Sequence, residues 1–372
     1  MHRQQVQAHS QTQTRTQPQS QSQSQSQLNT FGTAPGHISG LQSEPHKVDN
    51  FIRTVFHTLY HHNLFRLSDE AENLPGYIAR NAGRKPFQDA AVACLTCISR
   101  AHESGDQSML KTGRHLYAQA LREVVAGLYG EEALSADMLS AIMMLAVYEM
   151  YARTSPGAWA VHVDGVRRLM RSRGAEGHGE GLARSNFLVF RGFLVLAALG
   201  EGAPCFLEEE EWRVASWGTA REDAARGGAA ARWVDVEERV FEEVVRLPRF
   251  VSEARQGGER VGREMGRTRQ RLEQLGLELR AGMEAHAPRV RIAGATMPDG
   301  GPWLLLQGVE SAMALLDGLL ARQRSDGRFR PFRIVCGLDG GPSAMPRIEG
   351  VTWLDQVASS LGMIGTMVVD GH

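Results

Sequence analysis

Cysteine is scarce in this sequence: four residues among 372, Cys94, Cys97, Cys205 and Cys336, with no disulfide-framework spacing. That excludes a disulfide scaffold and suits a reducing compartment. Charge of one sign is also missing, since 41 Lys and Arg against 42 Asp and Glu leave a net charge of -1. No global basic field is available to hold nucleic acid non-specifically, so any DNA contact must be local. A membrane-spanning run is lacking as well. The longest nearly apolar stretch, Asn186 to Leu199, falls short of the roughly 20 residues a span requires and carries Arg191 at its middle. With no apolar leader at the N-terminus, the sequence predicts a soluble intracellular protein.

What is present falls into two parts. Residues 1–46 are Gln/Ser/Thr low complexity, including QQVQAHSQTQTRTQPQSQSQSQSQ, with too few apolar groups to offset the entropy of ordering them. They are expected to be a disordered tail. From 47 to 372 the periodicity is helical: Val48, Phe51, Ile52, Val55, Phe56 and Leu59 recur at helical intervals, and Ala90 to His102 reads as a buried helix. Leu110 to Leu128 is amphipathic, and Ser135 caps a helix through Tyr151. In AWAVHVDGVRRLMRSRG, Trp159, His162, Val163, Val166, Leu169 and Met170 share one side of a helix, with Ser155 and Pro156 placed to start it and Gly174 to end it. Another helix covers about Leu182 to Leu199, before the acidic turn LEEEEW.

Residues 213–232, rich in Gly and Ala, are expected to form a surface linker. Beyond it, Val234 to Arg255 reads as helix broken near Pro248, and Glu259 to Met283, Trp303 to Arg322 and Val351 to Val369 read as helices. RVRI, within an otherwise loop-like segment, reads as a short strand. Without alternating strands and helices, the class is all-α, a multi-helix domain.

Four motifs suggest chemistry and fail on inspection. GDQSMLKT resembles a phosphate loop, but Leu110 replaces the glycine that must precede the lysine, and a helix precedes it. Cys94 and Cys97 make a CxxC without a second ligand pair for zinc, inside an apolar helix that suits buried thiols. His57, His61 and His62 lack the glutamate of a helical zinc site. Arg246 to Arg271 carries an excess of Arg, yet Glu253, Glu259 and Glu264 stand at pairing distance along a helix, which describes a solvated face. No catalytic, cofactor-binding or metal-binding residue is expected.

The block from Ala90 to Trp212 resembles the helical regulatory domain of fungal-specific transcription factors. The features that carry this are HLYAQALREVVAGL, DMLSAIMMLAVYEM with Tyr148 and Glu149, WAVHVDGVRRLMRSRG with Trp159, His162 and Gly165, FLVFRGF around Arg191, and the pair Glu211–Trp212. Physically, these are expected to be helix-packing residues: Trp159 an apolar contact, His162 a polar handle, Gly165 a point of close approach, and Glu149–Arg191 an ion pair across two helices.

The resemblance implies a nuclear transcription regulator, of a kind that in fungi often serves a biosynthetic gene cluster. Its partners would be other regulators or the transcription machinery, with homo- or heterodimers among its assemblies and no membrane. In such proteins the domain follows a Zn(II)2Cys6 cluster, for which four scattered cysteines do not suffice. DNA would then be reached only indirectly, unless an upstream exon supplies the cluster. Two readings from other classes remain open at this stage: a helical-bundle enzyme using His57 or His162 as acid/base, and a non-nuclear scaffold.

Overall fold

The computed structural model describes residues 74–227, 231–256, 260–286, 300–338 and 353–371. In chain order the elements are α1 (Leu74–Asn81), α2 (Pro86–Ser104), α3 (Gln107–Leu128), α4 (Ala136–Ala152), α5 (Ala158–Arg173), α6 (Gly181–Glu201), α7 (Glu210–Arg226), α8 (Ala231–Val244), α9 (Leu247–Arg255), α10 (Val261–His286), α11 (Gly300–Leu320), β1 (Phe332–Val335), α12 (Trp353–Ser359) and β2 (Met367–Asp370). The two strands pair antiparallel, Phe332 opposite Asp370. The fold is thus all-α with a small terminal ribbon, and the expected helix at 48–59, the tail, His57, His61, His62 and RVRI lie outside the described residues.

Two helices organise the core. Every residue of α4 from Asp137 to Met150 is buried, and so is α6 from Leu182 to Leu199. A helix apolar all round must be enclosed by others, and the remaining helices supply that cover. By length and apolarity α6 and Gly301–Leu320 would both suffice to cross a membrane; the α6 stretch is wholly buried inside the protein. Helices α2 and α3 pack as an antiparallel pair, and Gly113 brings α3 so near that an added Cβ would lie 3.7 Å from the Ile98 backbone nitrogen.

The ends follow local chemistry. Asp106 caps α3 by accepting from the Ser108 amide at 2.8 Å, and Ser135 caps α4 by accepting from Met138 at 3.0 Å. GDQSMLKT is therefore a helix-to-helix turn, with Gly105 left-handed at φ 70°. Helix α5 begins at Ala158 with Gly157 as its cap, two residues later than Ser155 suggests, because Gly157 takes a left-handed φ of 75° there.

The expected linker at 213–232 is corrected by α7. That helix runs through Arg226 and buries Ser216, Thr219, Ala220 and Asp223, since its small residues sit where α8 packs closely. The break near Pro248 is present: α8 ends at Val244, and Pro248 stands in the first turn of α9, where it forfeits no hydrogen bond. The expected helix Val351–Val369 is instead a short α12, turns and β2. Leu361, Gly362 and Gly365 take positive φ, which ends the helix there.

This irregular segment is clamped. A Cβ on Gly192 of α6 would lie 2.9 Å from the Gly362 nitrogen, and one on Gly308 of α11 would lie 2.5 Å from the Ser360 carbonyl oxygen. Gly308→Ala must therefore push backbone against backbone. It is expected to destabilise the protein by about 1–3 kcal/mol, read as a lower urea midpoint; an unchanged midpoint would show that α11 does not seat on this turn.

Candidate functional site

Helices α3, α4 and α5 bring five polar or aromatic groups together. The Tyr117 and Tyr148 rings stack with centroids 4.2 Å apart and planes at 9°. The Tyr117 hydroxyl lies 2.7 Å from Nε2 of His162, and the Glu149 carboxylate stands near it. Glu149 is buried, and its carboxylate accepts from the Thr154 amide at 3.1 Å and from the Thr154 hydroxyl at 2.7 Å. Nε2 of His162 and the Tyr117 hydroxyl share one hydrogen bond, whose direction follows the imidazole tautomer. The His162–Tyr117 bond and the Tyr117–Tyr148 stack thus tie α5, α3 and α4 together.

The tuning of these groups is directional. Burial, reinforced by the nearby Glu149 carboxylate, pushes the Tyr117 phenol well above its ordinary range. Burial lowers the His162 pKa, against the opposing pull of Glu149. A phenol made less acidic beside an imidazole held neutral is a fastening, with no activated nucleophile or acid in it.

In front of Glu149, at the turn from α4 to α5, lies a cavity of about 380 Å³ lined by Glu149, Met150, Arg153, Pro156, Trp159 and Leu338 among others. Trp159 is half-buried and lines this cavity, while His162 faces away from it toward Tyr117. Gly165 faces Ile142 of α4, where an added Cβ would just touch at 3.5 Å. All three residues of the α5 motif make packing contacts, and Trp159 also borders the cavity.

Arg191 does not pair with Glu149, which corrects the sequence expectation. Its guanidinium donates to Glu238 at 2.9 Å, to Glu237, and to the Ser216 hydroxyl at 3.3 Å, and it stands 4.3 Å above the Phe241 ring. All of these are buried, on α6, α7 and α8. A second buried ion pair, Arg184 with Asp223, joins α6 to α7. Sequence reading missed Arg184, whose signal was a charge inside an otherwise apolar helix, and Glu237 and Glu238, which do not stand out among the many charges of α8.

Trp212 is buried among Phe187, Phe206 and His178, the last 5.4 Å away between centroids, while Glu211 is exposed in the first turn of α7. The four cysteines are buried and free, and burial pushes the Cys94 and Cys205 thiols upward. Among the described residues no group of three His, Cys, Asp or Glu is placed to hold a metal. In the Arg246–Arg271 stretch, Arg249 pairs with Glu253 along α9 but also with Glu264 of α10, and Arg271 with the buried Glu243 of α8, so two of these pairs join helices; Glu259 lies outside the described residues.

These features define an all-helical domain whose motif residues fasten helices to one another. Residues 37–196 match the family described as fungal specific transcription factor domain, so the resemblance read from the motifs holds over that span. The span includes Tyr148, Glu149, Trp159, His162, Gly165 and Arg191, and stops short of Glu211 and Trp212. An uncharacterized protein of Emericella nidulans is 37% identical over 172 residues, which are 46% of this chain and 36% of that protein. The match thus spans about a third of the relative's length. No solved structure matches the chain.

Proposed function

We propose that this protein is a nuclear transcription regulator of a fungal biosynthetic gene cluster. It acts through protein–protein contacts of its helical domain, or alternatively through a zinc cluster missing from this chain. The observation that carries the reading is the domain match over residues 37–196, whose motif residues pack as helix contacts. A fungal specific transcription factor domain is the mark of a transcription regulator. His162 bonds to Tyr117 and is not among the residues lining the cavity, which supports a packing role for it.

Deleting the gene and profiling transcripts tests it, with a fluorescent fusion to locate the protein. The expected result is nuclear signal and loss or derepression of a contiguous set of biosynthetic genes. A cytoplasmic fusion with an unchanged transcript profile would overturn the proposal.

A further inference from the structure

Many arginines of this protein are engaged by carboxylates: Arg167 by Asp164 and Glu201, Arg239 by Asp235 and Glu278, Arg249 by Glu208 and Glu264, Arg269 by Asp317. One exposed helix face instead joins cations without such partners to apolar surface. Opposite the buried Gly113, Ala120 and Val124 of α3, residues Lys111, Arg114, His115 and Arg122 project to solvent. At 100° per residue they fall within about 60° of one another's mean direction. Among the described residues none has a carboxylate within salt-bridge distance. Glu123 lies well round the helix, and Asp106 at its start is engaged with the Ser108 and Met109 amides.

The same stripe continues into apolar surface. Val125 is 52% exposed and Tyr129, at the helix end, is 90% exposed. From Lys111 to Tyr129 the face runs about 27 Å at 1.5 Å per residue. Among the described residues, nothing pairs these cations or covers the Tyr129 ring. Phosphates would use the cations alone, whereas Val125 and Tyr129 call for apolar side chains beside the acids. Glu131, just beyond Tyr129 and exposed, repels acids at that end and so fixes the direction in which such a segment lies.

We infer that this face of α3 docks an acidic segment of a partner protein, with carboxylates along Lys111 to Arg122 and apolar side chains on Val125 and Tyr129. The inference rests on the proposed role in protein contacts and names the chemistry of the partner. Its test is made on purified protein, so it fails independently of the transcript profile.

The full chain is titrated, by fluorescence anisotropy, into three labelled probes: a synthetic 20-residue peptide of Asp and Glu interspersed with Leu and Phe, the same peptide with Leu and Phe replaced by Ser, and a 20-bp DNA duplex. The first peptide is expected to bind most tightly, with affinity falling as salt rises. Lys111→Glu together with Arg122→Glu should weaken it about tenfold or more, and Tyr129→Ser by a smaller factor. Circular dichroism of both variants should be unchanged, since the residues are exposed. No binding of the first peptide, binding indifferent to these substitutions, or tighter charge-dependent binding of the duplex would each overturn the inference.

Discussion

Replacing Arg191 by methionine is expected to destabilise the protein by about 3–5 kcal/mol, the range for removing one partner of a buried ion pair. The aliphatic part of the side chain is preserved, so the loss isolates the guanidinium. Without it, Glu238 and Glu237 face each other's charge inside the protein, and Ser216 and the Phe241 ring lose a shared cation. Buried carboxylates that have lost their cation recover by taking up protons. The deficit relative to wild type should therefore shrink as pH is lowered from 8 toward 5. Urea unfolding at several pH values measures both quantities. A deficit below about 1 kcal/mol, flat with pH, would mean that water reaches these carboxylates. Combining Arg191→Met with Glu237→Gln and Glu238→Gln should restore part of the loss, because the uncompensated charges go too.

Acid should weaken the fold through His178. This side chain is 1% exposed, between Phe187 and Trp212, with its Nδ1 3.4 Å from the Ala183 carbonyl oxygen and its Nε2 without a partner. Burial, aided by the Arg173 charge and opposed by the Ala183 and Met170 carbonyls, lowers its pKa from 6.5 to about 4. The folded protein thus holds His178 neutral where the unfolded chain would protonate it. The unfolded state binds the extra proton between those values, so stability is complete above pH 6.5 and declines as pH falls toward 4. At about 1.4 kcal/mol per pH unit, the decline amounts to about 3 kcal/mol. His178→Gln should flatten the slope of unfolding free energy against pH in this window, whatever it does to absolute stability. Some slope remains from His162, whose pKa burial also lowers. An unaltered slope would show that His178 is solvated in the native state.

These two sites mark the limit of sequence reading from opposite sides. Trp212 and Arg191 were both identifiable from motif and from apolar context. Neither partner set was: Glu237 and Glu238 lie 46 and 47 residues beyond Arg191. They sit in a segment whose pattern suggests only an amphipathic helix with a charged face. Glu149 was the nearer guess on chemistry, but Thr154 already occupies its oxygens. The linker at 213–232 misled because Gly and Ala spell a surface excursion when read alone, while in the fold small residues are what let α7 lie close to its neighbours. The final segment misled because Val351–Val369 has helical apolar spacing, whereas Gly362 at φ 80° and the clamp from Gly192 and Gly308 turn the chain into a ribbon.

Helical class, most helix positions, several caps and the family resemblance were settled by residues within a few turns of one another, because the 3.6-residue period and end capping are local physics. Which carboxylates neutralise Arg191, that His162 fastens to Tyr117, that Trp159 borders a cavity, and that one face of α3 stands unpaired were decided only when distant helices met. Burial and charge compensation depend on what lies across the interface, and no periodicity along the chain carries that information.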